Sequence, residues 1–281
     1  MSKRRLDDSW KAWLKLNLER QCNPEELLGI LLKNNFTPAS IEECMGEHFP
    51  AHSSFLTEPA PSDIDYQALS KVKLTRADSG LNAQRLLSDK LQLYTLDNFL
   101  SEQECDDLDE IISQSLRPST VTRESPTDKY YRTSSTSDLA TLKNKTVESL
   151  DERIAKTLGI RLAYSEGIQG QRYEVGQEFK KHTDYFEPGT DEYVTFAGDR
   201  GNRTWTFMVY LNTVPKGGGT RFININHTFQ PLRGTAVVWN NLYPDGLPNY
   251  DTLHAGLPVM EGHKVIITKW FREKGRGPMF Y

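Results

Sequence analysis

In "EFKKHTDYFEPG", residues 178–189, a histidine and an aspartate stand two apart. Residues i and i+2 of a strand face the same side. His182 and Asp184 therefore converge on one point, while Thr183 turns away. An imidazole and a carboxylate are two members of the 2-His-1-carboxylate set that holds non-haem Fe(II). H-x-D also arises by chance, as two polar residues on a wet strand edge, so the missing ligand decides. Three histidines follow Asp184. His227 in "NINHTF" reads as a turn residue between strands. His263 lies on the face opposite Lys264. His254, in "YDTLHAGLPV", enters a strand region after a long loop and is the best third ligand.

Ten residues later, Lys264 starts the otherwise apolar run "KVIITKW". Strand alternation places Lys264, Ile266, Thr268 and Trp270 on one face. A lysine aimed into a core is costly unless an anion meets it. The alternative is a lysine at the strand end that reaches water. Two histidines, an aspartate and this lysine at compatible spacing are far more specific together than any one alone.

These residues need strands to carry them, and the pattern from residue 164 onward supplies them. "TWTFMVYLN", "GTAVVWN" and "HKVIITKWF" are rich in β-branched and aromatic residues and are bounded by Gly, Pro and Asn turns. "GGGT" at 217–220 lacks the spacing of a phosphate loop and reads as a hairpin turn between "FMVYLNTV" and "TRFININ". Upstream, "LDNFLSEQEC" predicts a strand, a turn and a helix capped by Ser101 with Glu104 in capping-box position. A further helix is predicted over "LATLKNKTVESLDERIAKTLG", closing at Gly159. Helices first and strands later give an α+β domain whose β part is a sandwich or jelly roll.

The first fifty residues differ. Trp10, Trp13, Leu14 and Leu18 recur at helical spacing. Asn23 followed by Pro24, and Thr37 followed by Pro38, mark two more helix starts, and Gly46 a stop. The likeness to ubiquitin-associated-type three-helix modules is weak, and both a docking role and a structural appendage remain open. His48 and His52 straddle Pro50 and read as surface residues. "FPAHSSFLTEPAPSD" is a linker, so the chain divides into 1–60, a helical bundle plus linker, and 61–281.

Composition narrows the classes. The 281 residues carry a net charge of −4 and 37% apolar residues, with a pI near 5.9. That balance argues against nucleic acid held through its phosphates. No run approaches a membrane span. Cys22, Cys44 and Cys105 form no disulfide framework, and with no apolar leader a cytoplasmic setting is expected.

"QRYEVGQEFKKHTDYF", "VYLNTVPKGGGTRF", "RGTAVVWNNLYPDG" and "DTLHAGLPVMEGHKVIITKWFRE" resemble, in order and spacing, the catalytic domain of the prolyl 4-hydroxylases. So do "LDNFLSEQEC" and "YRTSSTSDL", which extends the resemblance over about residues 91–273. This family belongs to the Fe(II)- and 2-oxoglutarate-dependent dioxygenases. The resemblance implies a double-stranded β-helix, or jelly roll, with His182, Asp184 and His254 on the iron. It implies that Lys264 pairs with the distal carboxylate of 2-oxoglutarate, helped by Tyr173, with Thr220 nearby. Arg203, Trp270 and Tyr131 fall where the family meets its substrate. O2 is the second cosubstrate and ascorbate the expected reductant. The loops "RESPTDKYYRTSST" and "DYFEPGTDEYVTFAGDRGNR" flank the site and match regions that grip a peptide. The implied reaction is prolyl 4-hydroxylation of a peptide or protein, with release of succinate and CO2. The same chemistry on a free amino acid or small metabolite is the alternative. A non-catalytic scaffold would need neither the triad nor Lys264.

Overall fold

The computed structural model describes residues 5–20, 22–34, 36–50, 64–72, 74–76, 79–80, 83–119 and 132–281. Most of the expected linker, His52, Tyr130 and Tyr131 lie outside them. The chain divides into two compact units, Met1–Asp63 and Ile64–Tyr281.

In the first unit, α1 (Asp8–Glu19), α2 (Pro24–Lys33) and α3 (Pro38–Met45) each begin at a capping side chain. Asp7, Asn23 and Thr37 accept from the backbone N–H of Trp10, Glu25 and Ser40. Each satisfies a donor that the helix itself leaves orphaned. The three helices share a core of Leu14, Leu27, Leu28, Leu31, Phe36 and Ile41. Trp10 packs edge-on against both Trp13 and Phe36.

The second unit opens with α4 (Tyr66–Leu69), β1 (Gln84–Arg85), β2 (Leu93–Leu96) and α5 (Glu102–Ser113). The reciprocal capping box of Ser101 and Glu104 starts α5. β3 (Arg117–Pro118) and β4 (Ser135–Asp138) precede α6 (Lys145–Leu158). The helix expected from Leu139 begins later, because the Asn144 side chain accepts from the N–H of Thr146 and Val147 and Lys143 takes a positive φ. A separate 3-10 turn covers Leu139–Thr141. Gly159, at φ 78°, ends α6 in the left-handed conformation.

The strands that follow are β5 (Gln169–Tyr173), β6 (Phe179–His182), β7 (Arg203–Tyr210), β8 (Lys216–Gly217), β9 (Thr220–Phe222), β10 (His227–Phe229), β11 (Ala236–Asn240), β12 (His254–Gly256), β13 (Val259–Glu261) and β14 (Lys264–Arg272). Among the described residues they form an eight-stranded sheet, β1-β2-β11-β7-β14-β5-β4-β3, and a four-stranded sheet, β10-β9-β12-β6, with β13-β8 as a short pair. Every strand ladder is antiparallel. Period two divides the central strands between two cores. Trp205, Phe207 and Val209 of β7 and Val265, Ile267 and Phe271 of β14 pack with Leu108 and Ile112 of α5 and Leu150 and Ile154 of α6. Met208, Tyr210 and Ile266 point the other way and pack with Phe222 of β9 and Trp239 of β11. The helices thus seal one face of the large sheet, and the small sheet covers the other.

Two local expectations change. The "GGGT" stretch is no hairpin, since β7 and β9 lie in different sheets and residues 211–219 cross between them. Gly217 there pairs with Val259, and a side chain on it would meet the Pro258 carbonyl at 2.4 Å. His227 begins β10; the turn belongs to Asn226, at φ 50°.

Candidate metal centre

β6 and β12 are neighbours, and His182 and His254 stand directly opposite across them. Cross-strand partners in an antiparallel pair project to the same side, which brings the two ring centroids to 4.2 Å. β6 ends at His182, and Asp184 sits in the bend just beyond, with Oδ1 3.9 Å from His182 Nε2. One ligand atom from each of the three residues lies within 4.8 Å of the others.

The chain fixes how each ligand presents itself. His182 Nδ1 donates to the Lys180 carbonyl at 2.7 Å, and His254 Nδ1 to the Thr252 carbonyl at 2.9 Å. Each bond places the proton on Nδ1 and leaves the Nε2 lone pair for a metal. Phe179 stacks on the His182 ring at 3.6 Å. Burial, then the neighbouring His254, lowers the His182 pKa to about 3, so at neutral pH it has no proton to shed on binding a metal. Burial pulls the Asp184 carboxyl upward, but His254, His182, Arg203 and the Thr206 hydroxyl together hold it below the usual range. Two imidazoles and one carboxylate, gathered on one side, form the donor set of a facial Fe(II) site.

The solvent-open cavity that these three residues line also contains Lys264. It is 1% exposed, and burial alone pushes its pKa down to about 7. No acidic partner meets it among the described residues. Its Nζ lies 4.3 Å from the centroid of the Tyr173 ring. Gly256 leaves room for it, since a Cβ there would stand 3.3 Å from the ammonium. The Tyr173 hydroxyl donates to Gln171 Oε1 at 2.9 Å. Thr220 lines the cavity and accepts from the Tyr210 hydroxyl at 2.7 Å. Ile266, Thr268 and Trp270 line it too, as the alternation of β14 requires. A buried cation without an anion is expensive, and a ligand carboxylate would relieve that cost.

Arg203, expected beside the substrate, is held by structural partners next to the cavity-lining Trp270. Its guanidinium forms a fork with Glu166, two bonds of 2.7 Å, and lies 4.0 Å over the Trp270 ring. Nη1 also reaches the Asp184 carbonyl at 3.4 Å. Arg203 therefore braces the backbone of a ligand. Glu166 binds Arg272 as well, which in turn donates to the carbonyls of Phe196 and Ala197 in the loop after Asp184. Glu166 was not legible beforehand, because its partners stand 37 and 106 residues away. Thr206, Asn241 and Arg132 also escaped notice. Thr206 left a trace, a polar residue at the alternate position of an apolar strand, and Arg132 stands in the quoted "YRTSSTSDL".

Residues 168–272 match the 2OG-Fe(II) oxygenase superfamily. Over 197 residues the chain is 33% identical to probable prolyl 4-hydroxylase 10 of Arabidopsis thaliana, covering 62% of this chain and 66% of that one. This chain carries a prolyl 4-hydroxylase-like 2OG-Fe(II) oxygenase domain. Prolyl 4-hydroxylase subunit alpha-1 of Gallus gallus is 30% identical over 192 residues, which are 67% of this chain but 37% of that subunit. The chain thus spans little more than a third of that relative's length. Among solved structures, the viral collagen prolyl hydroxylase of Paramecium Bursaria Chlorella virus-1, in a 2OG complex, superposes with a TM-score of 0.51 at 26% identity, covering 64% of this chain and 95% of that one. The donor set and the unpaired buried lysine of this oxygenase domain fit Fe(II) and 2-oxoglutarate.

Proposed function

We propose that the chain is an Fe(II)- and 2-oxoglutarate-dependent dioxygenase that 4-hydroxylates proline in a peptide or protein, releasing succinate and CO2. The observation that carries this reading is the pairing, in one cavity, of the His182–Asp184–His254 cluster with Lys264. When bound, iron with the 2-oxo acid and O2 would supply an oxidant strong enough to replace an unactivated C–H hydrogen by hydroxyl, one oxygen atom going to succinate.

The chain's own residues have distinct tasks. The three ligands hold the metal from one side and leave the cavity side free for the cosubstrate. Lys264 holds the distal carboxylate, over the Tyr173 ring and with Thr220 beside it. Met208, Ile266 and Trp239 line the cavity with apolar surface and exclude water from the cosubstrate. Trp270, held beneath Arg203, and Tyr131 remain assigned to the substrate side. Ascorbate as reductant follows from the likeness to prolyl 4-hydroxylases.

We read the eight- and four-stranded sheets as the two walls of a double-stranded β-helix, supported by the cavity residues they share. Residues 61–281 are the dioxygenase domain in this reading, and 1–60 a helical bundle plus linker. Exposed Leu16 and Ile30 support docking through that bundle. The three free thiols support a cytoplasmic setting.

The test is reconstitution with Fe(II) and 2-oxoglutarate, then O2 and a pool of proline-containing peptides followed by mass spectrometry. One added oxygen on proline, with matched succinate, and loss of both in His182→Ala, is the expected result. Succinate without peptide oxidation would redirect the search to other substrates, and the absence of both products would overturn the reading.

A further inference from the structure

The two oxygens of Asp184 have different surroundings. Oδ1 faces the histidines, 3.9 Å from His182 Nε2. Oδ2 accepts from the Thr206 hydroxyl at 2.7 Å, and Thr206 is fully buried in β7. The same hydroxyl oxygen accepts from Asn241 Nδ2 at 2.9 Å. Asn241 is also fully buried, and its backbone N–H donates to the Thr204 carbonyl at 2.7 Å. A hydroxyl has one proton to give. With the Asn241 amide donating to it, Thr206 must give that proton to the carboxylate. The bonds thus run in one direction, from Asn241 through Thr206 to Asp184. They also join the two sheets: Asp184 follows β6 of the four-stranded sheet, while Thr206 lies in β7 and Asn241 directly follows β11 of the eight-stranded one.

We propose that Thr206 and Asn241 are positioning residues that restrict Asp184 to offering one oxygen to the metal. This rests on the metal-centre reading above. A carboxylate released from Thr206 is free to turn both oxygens to the ion, using up a position that the 2-oxo acid requires. Thr206 and Asn241 touch neither cosubstrate nor substrate in this scheme; they act through Asp184. Outer partners of this kind typically contribute tenfold to a hundredfold to metal affinity.

Co(II) is the probe, because its visible absorption reports coordination without turnover. Thr206→Val preserves shape and removes the donor. It is expected to weaken Co(II) binding by about tenfold to a hundredfold, to shift the visible bands, and to weaken 2-oxoglutarate binding to the Co(II)-loaded protein. Thr206→Ser restores the hydroxyl and is expected to restore both the bands and the affinity. Asn241→Leu leaves Thr206 and Asp184 in place, shifts the same readouts by less, and carries the test alone if Thr206→Val does not fold. Unchanged bands and affinity in a folded Thr206→Val or Asn241→Leu protein overturn the proposal. An unsubstituted chain that binds no Co(II), or an Asp184→Ala variant that binds it equally well, overturns the metal centre itself and this inference with it.

Discussion

At Lys264, stability and binding pull in opposite directions. The folded chain holds this lysine near pKa 7, against 10.5 for the free side chain, because burial strips water from the ammonium. Between those values the unfolded chain binds a proton that the folded chain has lost, so Lys264 makes stability rise with pH through that window. Its destabilising effect is complete below about pH 7. The anion of 2-oxoglutarate has the opposite preference and favours the charged lysine. Affinity for 2-oxoglutarate is therefore expected to be flat below about pH 7 and to fall by up to roughly tenfold per unit above it, with proton uptake on binding. Titration calorimetry in buffers of different ionisation enthalpy measures both; proton release, or affinity that rises with pH, would refute the assignment. Lys264→Met separates the two roles. It is expected to match or exceed the parent in ligand-free denaturation at pH 6 while losing 2-oxoglutarate affinity by a hundredfold or more on this reasoning. Equal loss of stability and binding would make Lys264 structural.

Elements hold these residues in place through close packing, as β5 on α5 shows. Gly170 of β5 lies against Ile112 of α5, and a methyl on it would meet Ile112 Cγ1 at 2.4 Å. Gly170→Ala is expected to cost about 1–3 kcal/mol by overpacking, measured by urea denaturation. Adding Ile112→Ala, which alone leaves a cavity, should recover part of that loss, giving a non-additive cycle. Strict additivity would show that the two sites do not press on each other. Elements also mark what a sequence reveals. The triad residues were legible because ligand type and close spacing are local signals, although Asp184 lies past the end of β6 and strand alternation does not place it. The helix starts at Ser101, Asn23 and Thr37 were local signals too. The hairpin at "GGGT" failed because glycine reports a turn and not which sheet the next strand joins. The pairing of Arg203 with Glu166 was hidden for the same reason: it is fixed by sheet order, with β14 standing between β5 and β7.

For the whole molecule, the relevant division is between the core of the helical unit and the two cores of the second unit. One is built from α1, α2 and α3, and the others lie within Ile64–Tyr281, which also contains every ligand of the metal centre. A ligand stabilises only the structure that binds it, by about 2.7 kcal/mol at a hundred times its Kd. For the 218 residues of the second unit, each kcal/mol raises the midpoint by about 2–4 °C, so a shift of roughly 5–10 °C is expected. Calorimetry with Mn(II) and 2-oxoglutarate should therefore raise the transition of the second unit and leave that of the helical unit where it was. EDTA should reverse the shift. Lys264→Met should retain the part due to metal alone and lose the increment due to 2-oxoglutarate, because the metal ligands and the carboxylate site are different residues. If both transitions moved together, the two units would have to unfold as one, and the helical unit would belong to the cooperative structure that supports the site.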